Sequence, residues 1–338
     1  MIQSVRTIDA HAGGQPLRLV IEGAPRPVGT TLARRRDWVR RHADHVRRAI
    51  VLEPRGHRDM LAAQLTDPMT PGAHAGILFM SADGYPPLSG GGIIAAATIA
   101  VERGLLFSRD DAVGDVSLTF ETMAGTVPAR ARVQRRGEAT RVDSVAYTNV
   151  PAFVHTPGHV VTVGGREVRV DIAYGGLFYA IVDTEAVGIP LTEPRLPDLR
   201  RLAIGLAAAA NAGDSIVHPA VPGLAGVAGV VYTGPAYDPE AHLRTVTVSS
   251  DGGVRRSASG TGMTAVMCVL DAMGMLPGEG PFVQEGLAGL IFRGRPVART
   301  MVGEMPALSV EIEGTAWITG EHIFLMDEED PMREGFVV

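Results

Sequence analysis

Two rhythms of apolar and polar positions run along this chain, and together they predict an α/β protein. Residues 17–21 (Leu-Arg-Leu-Val-Ile) follow a turn-rich segment and read as a strand. Residues 75–80 are a short continuous apolar run, the pattern of a buried strand. The stretch 31–50 places Leu32, Trp38, Val39, Val46 and Ile50 among many arginines. This predicts a surface helix, or two, with Arg34, Arg35 and Arg36 on the wet side. Apolar helices are predicted within 93–105 and 257–276, each opened by a glycine loop, and an Ala/Leu-rich helix over 200–212. Strands are predicted at 129–133, 142–147, 160–172 (interrupted by Gly164-Gly165), 227–233 and 243–249. The stretch 308–325 alternates like a strand pair around Gly314.

The two glycine loops echo each other. Ser89-Gly90-Gly91-Gly92-Ile93-Ile94-Ala95 aligns with Ser259-Gly260-Thr261-Gly262-Met263-Thr264-Ala265, and at the same offset Gly104 meets Gly274 and Leu106 meets Leu276. The offset, 259 − 89 = 170, is close to half of the 338 residues. A duplicated two-domain architecture follows, in line with the two domains that this length favours.

Composition narrows the chemistry. All 31 basic residues are Arg, and with 37 acidic residues the net charge is −6. Without lysine there is no Schiff-base or pyridoxal-phosphate chemistry and no P-loop. An acidic chain is also a poor nucleic-acid binder. The one cysteine, Cys268, excludes an internal disulfide and a cysteine zinc cage; its apolar run, residues 264–270, marks it as core. Residues 1–6 lack the apolar region of a signal peptide, and no apolar run is long enough to span a membrane. The expectation is a cytoplasmic enzyme.

A Ser-Gly-x-Gly loop opening a helix has a definite physics. First-turn N–H groups lack intrahelical partners and carry the positive end of the helix dipole. Glycines let an anion approach them closely. The serine can also serve as a plain N-cap. If two such loops converge on one carboxylate, each presents a hydroxyl to an opposite face of the bound molecule, the arrangement that α-proton chemistry requires.

Several blocks in the same order resemble the proline racemase family. Residues 8–18, Ile-Asp-Ala-His-Ala-Gly-Gly-Gln-Pro-Leu-Arg, are similar to its IDxHTGGEPLR opening, and residues 53–60 to its EPRGHxDM segment. Residues 84–92 lie where that family has GYxxMCGHG, and residues 256–262 where it has RSPCGTG; residues 175–180 and 232–235 also resemble family segments. The resemblance implies a diaminopimelate-epimerase-like α/β fold. Two pseudo-repeated domains, 1–127 with 316–338 and 132–312, would each wrap a curved sheet on a central helix, with the active site between them. The wording is closest to the trans-3-hydroxy-L-proline dehydratases.

Against the family pattern, Ser89 and Ser259 stand at the two catalytic positions, where racemases and epimerases carry two cysteines or a serine and a cysteine, and dehydratases a cysteine and a threonine. A thiol supplies some thiolate near neutral pH, whereas a serine needs help from its surroundings. Dehydration suits this pair better than two-base racemisation, because Ser259 can stand in for the dehydratase threonine. His57, Asp59, His11 and His218 are the candidates to activate Ser89. Gly91 replaces a family histidine and Arg255 a family aspartate, both expected near the substrate ammonium, which points to an altered substrate or a degenerate site.

The expected activity is therefore a cofactor-independent, metal-independent hydro-lyase acting on a trans-3-hydroxy-L-proline-like imino acid. Ser89 would be the α-proton acid/base and Ser259 the group assisting hydroxide loss. Gly90, Gly91, Gly92, Gly260, Thr261 and Gly262 would hold the carboxylate, with Arg255, His57 and Asp59 also binding substrate. The alternatives are a proline or 4-hydroxyproline racemase or epimerase, and a non-catalytic small-acid binder. The partner is a small imino or amino acid; the reading allows a homodimer and excludes nucleic acid and membrane.

Overall fold

The computed structural model describes residues 2–106, 114–137, 139–213 and 215–337. Two compact units emerge, Met1–Tyr147 with Gly314–Val338, and Thr148–Glu313. The first contains β1 (Ile2–Ala12), β2 (Gln15–Glu22), α1 (Leu32–His42), α2 (Asp44–Val51), β3 (Leu61–Thr66), β4 (Ala75–Met80), α3 (Gly90–Glu102), β5 (Gly114–Thr122), β6 (Gly125–Arg136) and β7 (Ala139–Thr148). The second contains β8 (Ala152–Val163), β9 (Arg166–Tyr174), β10 (Phe178–Asp183), α4 (Thr184–Val187), α5 (Leu196–Ala212), β11 (Val227–Gly234), β12 (Leu243–Ser249), α6 (Gly260–Ala272), β13 (Phe282–Glu285), β14 (Ile291–Val302) and β15 (Met305–Gly314). The chain then returns to the first unit as β16 (Ala316–Asp327). The β5–β6–β7 meander belongs to the first unit, which runs to Tyr147, where the sequence reading placed its end near 127.

Strand pairing repeats between the units. From β16 through β1, β2, β3, β4, β5 and β6 to β7, the pairs are antiparallel, antiparallel, parallel, antiparallel, parallel, antiparallel, antiparallel. From β8 through to β15 the series is the same. A parallel pair needs a long crossover. In both units helices provide it: α1 and α2, then α3, in the first; α4 and α5, then α6, in the second. In the second unit β15 pairs with both β14 and β8, closing the sheet on itself.

Each sheet curves around one helix. Every residue of α3 is buried, and it packs on β1, β2, β3, β6 and β16. Its Ile, Ala and Val residues are apolar all round, as a helix enclosed by a sheet must be. Glu102, at its end, is buried because Arg141 Nη1 (3.2 Å) and the Val142 N–H (2.9 Å) donate to it. The helix α6 occupies the same place in the second unit, against β8, β9, β10 and β14, with residues 260–269 buried. Cys268 lies on this helix, buried, and burial pushes its thiol up to about 11. The Arg-rich stretch forms two helices, not one. Arg34 is exposed, but Arg35 leaves the wet side to donate to Gly29 O, Thr66 Oγ1 and Asp67 O.

Candidate functional site

The first glycine loop meets α3 in a relaxed geometry. Ser89 is the N-cap, with extended backbone (φ −139°, ψ 114°), and its half-buried Oγ accepts from the Gly92 N–H at 3.2 Å. Gly90, Gly91 and Gly92 are buried. A Cβ on Gly92 would come within 2.4 Å of Phe79 on β4, so glycine is what lets this turn lie against the strand. Gly90 and Gly91 N–H belong to a first turn with no intrahelical acceptor.

The second loop is strained. Ser259 also caps its helix, its Oγ accepting from the Gly262 N–H at 3.4 Å, but its backbone sits at φ +50°, ψ 92°. Among the described residues it is the one non-glycine at positive φ. Such a conformation costs about 1–3 kcal/mol and persists where the surroundings enforce it. Here they do. Gln284 Nε2 donates to Ala258 O at 2.6 Å, and the Ser259 N–H donates to Ser257 Oγ at 3.3 Å. Gly286 abuts the Ala258 backbone so closely that a Cβ would come within 2.5 Å. Asn149 Nδ2 ties Gly175 O (2.8 Å) to Thr264 Oγ1 (2.9 Å), and Thr264 in turn donates to Gly260 O (2.8 Å).

Three further groups lie around the loop that carries this strained serine. The buried Tyr179, on β10, shares a 2.8 Å hydrogen bond between its hydroxyl and Thr261 Oγ1. Arg255 is half-buried before the loop, anchored by its N–H to Thr247 O (2.9 Å). Burial pushes the Tyr179 phenol up, and the Thr261 bond and the Arg255 charge pull against it. The third group is Thr247, whose buried Oγ1 has no hydrogen-bond partner among the described residues. Ser259 Oγ and Thr247 Oγ1 each lie 3.1 Å from the point where a Gly262 Cβ would sit. Glycine at 262 thus leaves room for two hydroxyls beside the first-turn N–H groups.

Of the expected site residues, Ser259, Gly260, Thr261, Gly262 and Arg255 are brought together in the second unit, and Ser89, Gly90, Gly91 and Gly92 in the first. His57 and Asp59 lie between α2 and β3; His57 Nδ1 accepts from the Asp59 N–H at 3.2 Å, and Asp59 O accepts from buried Gln15 at 2.9 Å. His11 stacks on Trp317 (5.3 Å) and accepts from the Gly14 N–H. His218 packs edge-on to Tyr174 (4.7 Å) and Phe153 and accepts from the Ala220 and Val221 N–H groups. Sequence reasoning missed Tyr179. It lies in a fully apolar run where every position is inward, so alternation does not single it out; its one signal is a hydroxyl in that run. Among the described residues no set of three or more His, Cys, Asp or Glu side chains is placed to hold a metal ion, and no helix is long and apolar enough to cross a membrane.

Fold and loops now define a class. The model of the family described as Proline racemase matches residues 7–337. The chain belongs to the proline racemase family, as its sequence blocks led us to expect, and the duplicated diaminopimelate-epimerase-like architecture expected from them is the one found. It is 36% identical over 337 residues to the 3-hydroxyproline 2-epimerase of Burkholderia multivorans, covering 99% of this chain and 98% of that protein. It is also 36% identical over 337 residues, with the same coverage, to the trans-3-hydroxy-L-proline dehydratase of Burkholderia ambifaria. The solved structure of a hydroxyproline epimerase from Agrobacterium vitis, with bound trans-4-hydroxy-L-proline, matches with a TM-score of 0.90 at 30% identity, covering 99% of this chain and 95% of that one.

Proposed function

We propose that this enzyme dehydrates a trans-3-hydroxy-L-proline-like imino acid. The observation that carries this reading is the asymmetry of the two serines. A racemase needs two matched groups, each able to take and give a proton at Cα. Here Ser89 has a relaxed, extended backbone and caps α3 through its Oγ, while Ser259 is held at positive φ in a loop whose Thr261 bonds the buried Tyr179 hydroxyl. Elimination is asymmetric in the same sense: one group removes the Cα proton, the other protonates a departing hydroxide. In this reading Ser89 takes the Cα proton, favoured as an alkoxide by the positive end of α3. Ser259 gives its hydroxyl proton to the leaving group. The glycine-loop N–H groups hold the carboxylate, and no cofactor or metal takes part. The 36% identity to a protein named for this dehydration supports the substrate class.

The similarity to a 3-hydroxyproline 2-epimerase sets the rival. One experiment separates the two: incubation with trans-3-hydroxy-L-proline in D₂O, followed by proton NMR. Dehydration removes the Cα and C3 carbinol signals together. Epimerisation keeps the carbinol signal and yields the 2-epimer with deuterium at Cα. Accumulation of the 2-epimer without loss of the carbinol signal would refute the dehydratase reading.

A further inference from the structure

Thr247 on β12 is 2% exposed, and its hydroxyl has no hydrogen-bond partner. Among the described residues every other buried threonine hydroxyl has one. Thr245, two residues back on the same face of β12, accepts from Gln284 Nε2 at 2.8 Å. Burying an unpaired hydroxyl is destabilising, so its presence in a folded protein calls for a reason. The place of Thr247 supplies one. Its carbonyl accepts from the Arg255 N–H (2.9 Å), its register partner is Val231 on β11, and its side chain reaches the first turn of α6. Thr247 Oγ1 and Ser259 Oγ each lie 3.1 Å from the point where a Gly262 Cβ would sit, and Val231 Cγ2 closes the third side at 3.2 Å. The two hydroxyls thus border one small space. Ser259 Oγ accepts there from the Gly262 N–H at 3.4 Å, a long bond that leaves the oxygen able to take a second donor.

We propose that Thr247 is a positioning residue of the elimination: its hydroxyl donates to Ser259 Oγ as that oxygen gives up its proton, and with the Gly262 N–H it holds the charge that Ser259 acquires. This role rests on the dehydratase reading and adds to it the group that steadies Ser259. Ser89, as alkoxide, takes the Cα proton, and the Cα–H electron pair becomes the Cα=C3 π bond. The C3–O pair leaves on the hydroxyl oxygen, which takes the Ser259 hydroxyl proton and departs as water. The anion then rests on Ser259 Oγ, between the Gly262 N–H and the Thr247 hydroxyl. Thr247 keeps its own proton. One anion is present before and after; solvent returns a proton to Ser259 while Ser89 loses one. In the resting protein Ser259 is neutral and its oxygen stays in the capping position, so Thr247 goes unpaired. A bond formed only as charge develops lowers the barrier without tightening substrate binding. Glycine at 262 is part of the device, because a Cβ there would press on both oxygens.

The test is Thr247→Val, which keeps the shape of the side chain and removes its hydroxyl. With trans-3-hydroxy-L-proline as substrate, kcat for elimination should fall by about 10- to 100-fold, the worth of a hydrogen bond to a charged group. KM should stay within about threefold, since the lost bond is absent from the ground state. The melting temperature should rise by about 2–4 °C, because an unpaired buried hydroxyl has gone. A merely structural hydroxyl would give the reverse, a less stable protein with its activity kept or lost in proportion to folding. Thr247→Ser and Thr247→Ala guard against a poorly folded valine variant. Both lose the methyl group, so the difference between them is the hydroxyl alone. Serine should rescue kcat to within about threefold of the wild type, and alanine should fall as far as valine. Full kcat in Thr247→Val, equal kcat in the serine and alanine variants, or a valine variant less stable than the wild type overturns the proposal alone. The last result would mean that the hydroxyl already has a partner, such as an ordered water, in the resting protein. A wild type that forms no elimination product, or only the 2-epimer, overturns the dehydratase reading and the proposal with it.

Discussion

The two serines occupy corresponding positions but differ in backbone energy, and the difference is measurable. Ser89 sits at φ −139°, where a serine cap is at ease; Ser259 sits at φ +50°, where glycine is the natural residue. Ser89→Gly loses a cap and adds unfolded-state entropy, and should cost about 1 kcal/mol. Ser259→Gly loses a similar cap but releases strain of about 1–3 kcal/mol, so its stability should equal or exceed that of the wild type. Both variants should lose turnover. Paired urea melts check the sign; an equal destabilisation of the two would mean that Ser259 carries no strain. The lone thiol makes the opposite point. With Cys268 buried and its thiol pushed up to about 11, almost no thiolate exists at neutral pH. Cys268→Ala should keep turnover within about twofold while costing about 1 kcal/mol of stability, and native protein should resist alkylation that proceeds once urea exposes the thiol.

At the scale of elements, the junction between β9, β10 and α6 is the tightest part of the candidate site. A Cβ on Gly175, in the turn before β10, would come within 2.2 Å of Thr261 O. Gly175→Ala must therefore push the first turn of α6 away from β10, at a cost of about 1–3 kcal/mol. It should also separate Tyr179 from Thr261 and shift the loop that carries Ser259, lowering kcat/KM; a stable variant with full activity would show that this turn tolerates displacement. Neighbouring strands carry a pH-sensitive cluster. His218 packs against Tyr174 and Phe153, and His155 against Phe178; burial holds both rings below the usual imidazole value. The neutral rings are favoured in the fold, so the stability they contribute is full above the ordinary histidine pKa of about 6.5 and is lost as pH falls through it. The melting temperature should drop between pH 7.5 and 5.5, and His218→Gln should flatten that slope. Legibility in the sequence followed the same physics. Helices α3 and α6 could be read because they are apolar all round behind a glycine loop, and β4 because it is an unbroken apolar run. Strand β1 could not: Thr7 and Asp9 are buried in its middle, Thr7 donating to Asp9 (3.0 Å) and Asp9 paired with buried Arg18 (2.9 Å), so its polarity pattern hides its burial. The serine loops stood out by repetition, whereas Tyr179 reaches Thr261 of the second loop only through the fold.

Across the whole molecule, the repeat seen as a half-length offset becomes a repeat of strand pairing, with one difference of order. In the second unit the strand that opens the series, β8, comes first in the chain; in the first unit the corresponding strand, β16, comes from the far end. The second unit closes its sheet with strands drawn from one continuous stretch. The first depends on residues that follow the whole of the second. Strand β16 pairs with β1 along its length, from Ile2↔Asp327 to Ala12↔Ala316, and packs on α3. Arg55 donates to Leu325 O near the end of this strand and, beyond it, pairs with Asp330, and the Phe336 N–H donates to Glu53 O. Met326 and Phe324 belong to the cluster around Val5, Val46 and Ile50. Deleting residues 315–338 therefore uncovers one edge of β1 and opens the core behind it. Backbone N–H groups of β1 that β16 had satisfied then meet water, and the apolar cluster loses two of its members. We expect hydrogen exchange on the truncated protein to show β1 and α2 exchanging several orders of magnitude faster, while the amides of β9 and α6 keep their protection. Each order of magnitude corresponds to about 1.4 kcal/mol of local opening free energy, so the loss of a strand and its cluster is well within reach of the method. Retained protection in β1 would mean that the first unit holds its sheet without the tail, and that the far-end strand is an addition to its core and not a part of it.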